Sequence, residues 1–342
     1  KSEKVWTVKT VLREHELSSI GLFKQVKCPA KEGATEPTTP ILAGDGVELV
    51  ATVGGKEFAV EGKLEIEESK SPVLRKMRAT FDEKGFKGHV DIAFEYDGQM
   101  EWKLTMEKGK LDFLKVVVPF RASEARLMHG MPESLRGNYG GRVPSGTGSV
   151  WNGSLAPVRL GVRGDYLSYL WIGGTLRGLS VYGENDRGWV HFDGWPLKNP
   201  KENPVHCQDV VREKDGTVKL CINLVQKPFE ITEPRTIRLF FMATPVKPML
   251  ENWRAITYGH FLGSGSQWGA APQDADVEPF DGSDELWKKM SETRDTGVID
   301  MEYLKAAFKR MPLPGKPGER TYENVKAHNE LHLKSGFENM RS

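Results

Sequence analysis

From Val47 to Phe120 the chain alternates apolar and polar residues in short runs: VELVATV, EFAVEGKLEIEE, LRKMRATF, HVDIAFEY, MEWKLTME and LDFLKVVVPF. Each run reads as a β-strand with one buried face, because successive side chains of a strand point to opposite sides. Turn residues separate the runs at Gly54-Gly55, Asp82 to Gly85, Asp97-Gly98 and Lys108-Gly109. Asp97-Gly98 is a hairpin signal, since the favoured two-residue turn needs positive φ at both central positions. Strands at this spacing, polar on one face, predict an antiparallel sandwich rather than a parallel sheet.

The flanks differ. Residues 1–45 show no such rhythm, and the Pro/Thr-rich passage from Glu36 to Pro40 reads as a loop. Residues 121–165 carry many Gly, Ser and Pro around Trp151. That stretch is too long for a plain linker and is expected to form structured surface loops. Extended runs resume at Tyr166 and continue to Ala243. After Pro248 comes the short apolar run AITYGHF, then the loop GSGSQWGAAP, then helical patterns. Ser283 is a helix N-cap with Asp284 and Glu285 in the first turn. Asp300 starts a second helix with the apolar face Leu304, Phe308 and Met311, and Thr321 opens a third.

A strand, a loop and helices are how a β/α barrel begins, yet a full barrel takes roughly 250 residues. The expected fold class is therefore mainly β. An irregular segment (1–45) precedes an antiparallel β-sandwich domain (46–249). Residues 250–342 then supply the first strand and helices of a (β/α)8-type barrel, too few to close it.

Composition narrows the function classes. Lys and Arg number 48 against 47 Asp and Glu, so no global field favours nucleic acid. No apolar run approaches the roughly 20 residues of a membrane span. The start, KSEKVWTVKT, lacks a signal-peptide core and suits either a cytosolic start or a mature end after cleavage, and a first residue other than Met favours processing or a partial sequence. Cys207 and Cys221 flank a turn at Lys214–Gly216; a cross-strand disulfide is open there, with two separate thiols the simpler reading.

No metal or cofactor is expected. His328 and His332 share one helical face at a spacing that can hold Zn²⁺, but Glu330 is misplaced for the metalloprotease motif and no third ligand is evident. GSGSQWG lacks the Lys and the helix N-terminus that cradle phosphate.

In order along the chain stand RASEARLMHG, GRVPSGTGSVW, LWIGGTLRGLSVYGENDRGW, INLVQKPFEI and TIRLFFMATPVKPMLENWR. Over roughly residues 110–275 this succession resembles glycoside hydrolase family 123 and its relatives. The resemblance implies an N-terminal β-sandwich and a catalytic (β/α)8 barrel. It also implies an extracytoplasmic location and substrate-assisted cleavage of N-acetylhexosaminides by an adjacent Asp-Glu pair. Asp284-Glu285 has those letters but opens a helix and follows no apolar strand, so the catalytic role is not carried onto it. The catalytic residues remain unknown.

A glycosidase needs carboxyls on either side of a sugar bond. Asp186, beside Arg187, reads instead as a turn or salt-bridge residue. Trp171 and Trp189 lie in alternating runs and read as core. Trp268 lies in the loop after the first barrel strand, and such loops build a barrel's active face. His260, Gln267 and Trp268 are the candidate substrate contacts, against the alternative that Trp268 only caps the barrel rim. The expected function is the N-terminal part of a glycoside hydrolase whose partner is a glycan containing N-acetylhexosamine. A companion polypeptide or a second copy would complete the barrel. The alternative is a non-catalytic glycan- or protein-binding scaffold.

Overall fold

The structure, a computed structural model, describes residues 6–67, 71–131, 139–155, 166–192 and 204–248. All residues from 249 onward lie outside the described part, including the barrel strand and the three helices expected there. The first four strands, β1 (Trp6–Thr10), β2 (Arg13–Leu17), β3 (Phe23–Pro29) and β4 (Pro37–Pro40), pair in that order. A hairpin of β5 (Glu48–Val53) and β6 (Lys56–Ala59) follows. Next come β7 (Lys63–Ile66), β8 (Leu74–Glu83), β9 (Phe86–Glu95), β10 (Met100–Met106), β11 (Gly109–Leu111) and β12 (Phe113–Phe120). The middle of the chain supplies β13 (Leu127–Met131), β14 (Tyr139–Arg142) and β15 (Gly148–Asn152), with a 3-10 turn at Gly153–Leu155. The remaining strands are β16 (Tyr169–Gly173), β17 (Gly178–Tyr182), β18 (Gln208–Arg212), β19 (Val218–Val225), β20 (Phe229–Ile231) and β21 (Arg235–Thr244).

These strands make a nine-stranded sheet, β14-β13-β16-β17-β21-β10-β9-β8-β7, and a six-stranded one, β15-β18-β19-β12-β5-β6. A two-stranded sheet, β11-β20, and the N-terminal sheet complete the set. Every pair of named strands is antiparallel, so the described part is mainly β as expected. Trp102, Leu104, Ile237 and Leu239 of the large sheet join Val116, Val118, Leu220 and Ile222 of the six-stranded sheet in one buried apolar cluster. Each such side chain stabilises the fold by roughly 1.5–3 kcal/mol.

Two expectations are overturned. Residues 6–40 are not irregular; they form the N-terminal sheet. In β2 the inward positions are Arg13, His15 and Leu17, so two polar residues occupy buried sites and hide the alternation. The prolines of β4 are tolerated because it is an edge strand. Residues 121–165, expected as loops, contain three strands whose glycines weaken the strand signal, as in Tyr139–Arg142 with its sequence YGGR.

The turns also differ in detail. Both residues take positive φ at Gly54-Gly55 and at Lys84-Gly85, each a two-residue hairpin loop. Between β9 and β10 only Gly98 does, and the loop there is longer. The three cysteines are free. Asn223 N–H bonds across to the Cys207 carbonyl while Asp209 faces Cys221, so the two thiols are not cross-strand partners.

The N-terminal sheet is fastened by the fully buried Arg13. Its guanidinium donates to Ala243 O (2.6 Å), Asp97 O (2.5 Å) and Val246 O (3.1 Å), while Nε donates to Val11 O (3.2 Å). Trp102 Nε1 donates to Ile20 O at 3.1 Å, and Arg177 grips Glu124 at 2.8 Å while donating to Pro29 O at 3.0 Å. Beside Arg13 sits His15, wedged between Phe23 and Phe94 at ring distances of 5.4 and 5.0 Å. Burial, aided by the Arg13 charge, pushes its pKa down to about 3. The imidazole is thus neutral, with Nδ1–H donating to Val8 O at 3.2 Å.

Replacing Arg13 by Met leaves four buried or part-buried carbonyls without their donor and is expected to cost about 3 kcal/mol or more in urea unfolding. Arg13→Lys is expected to recover little, because an ammonium lacks the fork that reaches all four oxygens. The His15 proton has the opposite preference to a salt-bridged histidine: the unfolded chain binds it below about pH 6.5, and the folded chain does not until about pH 3. Stability from this group is therefore present above pH 6.5 and lost as pH falls, by up to ~1.4 kcal/mol per pH unit. Unfolding free energies measured between pH 6.5 and 4 should fall less steeply in His15→Gln than in the wild type.

Candidate functional site

On β13, β16, β17 and β21 several of the residues facing away from the core are apolar or aromatic as well. Leu170 and Ile172 point inward, leaving Tyr169 and Trp171 on the outer face; Leu179 and Val181 do the same for Ser180 and Tyr182. On β21, Leu239 and Phe241 are buried and Phe240 and Met242 face out. Strand register then lines the outer residues up. Met131 lies opposite Tyr169, Tyr169 opposite Tyr182, Tyr182 opposite Phe240, and Phe240 opposite Glu101.

The rings form a continuous row. Tyr182 and Phe240 stack at 5.3 Å with 12° between planes, Tyr169 and Tyr182 lie 6.1 Å apart, and His129 meets Tyr169 edge-on at 5.8 Å. Trp171 sits beside the row, directly across from His129 and Ser180. Its indole lies over Gly173 and Gly178, where an added Cβ would come within 2.5 Å of the ring. Only glycine leaves that ring room to lie against the sheet. Trp171 Nε1 donates to Thr244 Oγ1 at 3.2 Å.

All five rings are half-buried, flat and wet on one side. Desolvation, with Asp97 and Glu95 nearby, pushes the Tyr182 phenol up to about 12, and desolvation also raises Tyr169. Both hydroxyls therefore stay protonated and can donate as well as accept.

Charge borders the rings on one side. Arg238 Nε lies 2.9 Å from Glu101 and Nη1 lies 3.8 Å from Glu184, all on exposed or half-exposed side chains. Further along the same face Arg78 pairs with Asp91 at 2.6 Å, next to His89. Arg78, Thr80, Asp82, Lys87, His89 and Glu107 line an open cleft. Pairs exposed to water contribute little to stability, so these groups are held loosely enough to exchange partners with a ligand. The arrangement can stack on the C–H faces of a ring-shaped ligand and hydrogen-bond its hydroxyls. Among the described residues no group of three or more His, Cys, Asp or Glu side chains is placed to hold a metal ion.

His260, Gln267 and Trp268 lie outside the described residues, as do Asp284, Glu285, His328 and His332. Trp189 is core as expected, but Trp171 is not: it stands half-buried on the outer face. Asp186 accepts the Trp189 N–H (3.0 Å) in a turn, and its carboxylate partner at 2.7 Å is His191 rather than the adjacent Arg187. The residues that sequence reasoning missed are Tyr169, Tyr182, Phe240 and His129. Their signal was present in the strands YLWIG, GLSVY and RTIRLFFMAT, which carry aromatic or apolar residues on the outer face too, where the hairpins before them are polar on one.

Among solved structures the chain is similar to a galactose mutarotase related enzyme from Lactobacillus acidophilus (7% identity, 71% of this chain and 98% of that one, TM-score 0.38). It is likewise similar to a GalM/aldose epimerase homologue from C. elegans (7%, 70% and 99%, 0.39). A third is the alpha-N-acetylgalactosaminidase NagBb of Bifidobacterium bifidum (9%, 98% of this chain and 58% of that one, 0.42). Likeness at this level assigns no activity. No curated protein matches the chain. The family model described as glycoside hydrolase 123, third domain, matches residues 3–188. It begins well before the motifs near residue 110 and takes in the N-terminal sheet. Covering more than half of the 342 residues, this match makes the chain a member of the glycoside hydrolase 123 third-domain family.

Proposed function

We propose that this chain is the β-rich part of a glycoside hydrolase acting on glycans that contain N-acetylhexosamine, with a barrel-type domain after Pro248 carrying the chemistry. In this reading residues 46–249 form an antiparallel sandwich, and His260, Gln267 and Trp268 contact substrate from the loop after the first strand of the barrel-type domain. The observation that carries the proposal is the ring row, whose His129, Tyr169 and Tyr182 lie within the residues that match the glycoside hydrolase 123 third domain. Tyr169, Tyr182 and Phe240 offer flat apolar surface beside Glu101, Arg238 and Glu184, the pairing of stacking face and polar rim that a sugar requires.

Titration calorimetry with oligosaccharides bearing N-acetylgalactosamine or N-acetylglucosamine tests the binding surface. Tyr182→Ala and Phe240→Ala are each expected to weaken binding about tenfold, on the order of 1.4 kcal/mol. Their circular dichroism spectra should stay native. Unchanged affinity in both variants would remove the ring row from the reading.

Release of a chromogenic aglycone from N-acetylhexosaminides by the longest natural form of the protein tests the chemistry. Binding without turnover in that form would assign the scaffold role instead.

A further inference from the structure

Away from the ring row, a carboxylate, an imidazole and a thiol stand in line. The turn after β17 folds Asp186 back so that its Oδ2 lies 2.7 Å from His191 Nε2. The other ring nitrogen, Nδ1, lies 3.4 Å from Cys207 Sγ. Gln226 completes the set, placing Nε2 3.3 Å from the same sulfur. Its orientation follows from its other bond: Oε1 accepts the Phe192 N–H at 3.0 Å, which leaves the NH₂ end facing the thiol. Backbone pairing holds the parts together, with Val190 N–H donating to Leu224 O and Gln226 N–H to Val190 O.

The order of the groups sets the chemistry. Asp186 accepts Nε2–H, so Nδ1 presents its lone pair to the sulfur and can take the thiol proton. The resulting imidazolium is held by Asp186, and the thiolate accepts Gln226 N–H. A base next to a thiol and an orienting acid behind the base is the general arrangement of an activated nucleophile. The hydrogen bond from His191 also draws the Asp186 carboxyl below its usual range, keeping it charged.

The other two cysteines supply the contrast. Cys28 donates to Thr244 O at 3.4 Å, and burial pushes its thiol up to about 12. Burial likewise pushes Cys221 up to about 11, although it is the more exposed of the three. Among the described residues neither has an imidazole within hydrogen-bond reach of its sulfur.

The geometry points to Cys207 as a modification site, a base-activated thiol that peroxide-class oxidants convert to a sulfenic acid. The thiolate attacks one peroxide oxygen; an S–O bond forms as the O–O bond breaks. Sulfur gives up two electrons and the peroxide takes them. The proton carried by His191 passes to the departing hydroxide, which leaves as water. Burial sets the selectivity. Cys207 is fully buried and Gln226 nearly so, while Asp186 at the outer end is 28% exposed. Reagents close to water in size can reach the sulfur through small local openings, and bulky alkylating agents are held off.

The experiment exposes the intact folded protein to hydrogen peroxide, quenches it, unfolds it in dimedone and reads each cysteine by peptide mass spectrometry. Cys207 is expected to oxidise at least about tenfold faster than Cys28 or Cys221. His191→Asn is expected to slow Cys207 alone by about tenfold, leaving the other two unchanged. Asp186→Asn, at the exposed end of the line, provides the same test should the His191 variant fold poorly. Iodoacetamide should show no preference for Cys207 in the folded protein. Faster oxidation of the more exposed Cys221, or a Cys207 rate indifferent to both variants, would overturn the assignment.

Discussion

A guanidinium that, among the described residues, has no carboxylate partner within hydrogen-bond reach holds this domain's parts in place. Arg13 lies fully buried at the start of β2 and spends its donors on backbone oxygens of three separate stretches: Val11, Asp97, and the pair Ala243 and Val246. Carbonyl dipoles offset part of what burial costs the charge, but only while all of them stay in position. The residue therefore works less as a source of stability than as a gauge of geometry. Gly98 lies so close that a Cβ there would meet the guanidinium at about 3 Å, so the β9–β10 loop is shaped around the same group. His15, one position further along the inner face, is kept neutral by the burial and the charge that Arg13 creates.

The antiparallel strands from Val47 to Phe120 were legible because their inward residues are apolar and their outward ones polar, which is the pattern that strand periodicity detects. The N-terminal sheet was not, since its inward positions in β2 are Arg13 and His15, and Arg13 finds carbonyl partners 84 and 230 residues away. The ring row was obscured for the reverse reason. With both faces of β16 and β17 apolar, Trp171 looks like core in sequence, and only the sheet's register shows that it belongs to the outer row. Asp97-Gly98 was a sound place for a turn, yet the two-residue turns with paired positive φ formed at Gly54-Gly55 and Lys84-Gly85. Letters at adjacent positions fix local backbone preference but not the pairing that decides loop length.

Membership of a glycoside hydrolase family and the chemistry of the outer face meet in one region of the large sheet. The rings need flatness, and the fold provides it with glycines under Trp171 and a densely packed inner layer beneath Tyr169 and Tyr182. Leu170, Val181 and Leu239 on that inner layer are almost fully buried, so the outer rings rest on a surface that cannot yield. Of the Asp186–His191–Cys207 line, Asp186 lies in the turn that leaves β17, while Cys207 directly precedes β18 of the six-stranded sheet.

The order of the strands in the nine-stranded sheet has a consequence for how the chain is made. β21, the last of the described strands, lies between β17 and β10, near the middle of the sheet rather than at its rim. A nascent chain that has not yet delivered Arg235–Thr244 therefore holds two half-sheets whose inner edges, on β10 and β17, both present unpaired backbone groups. Such edges invite pairing with other chains. The strand that fills the gap also carries Ala243, the acceptor that Arg13 awaits. Completion of the sheet and capture of the N-terminal strands are one late event, and a ribosome stalled before residue 235 would leave a sticky intermediate rather than a smaller folded domain.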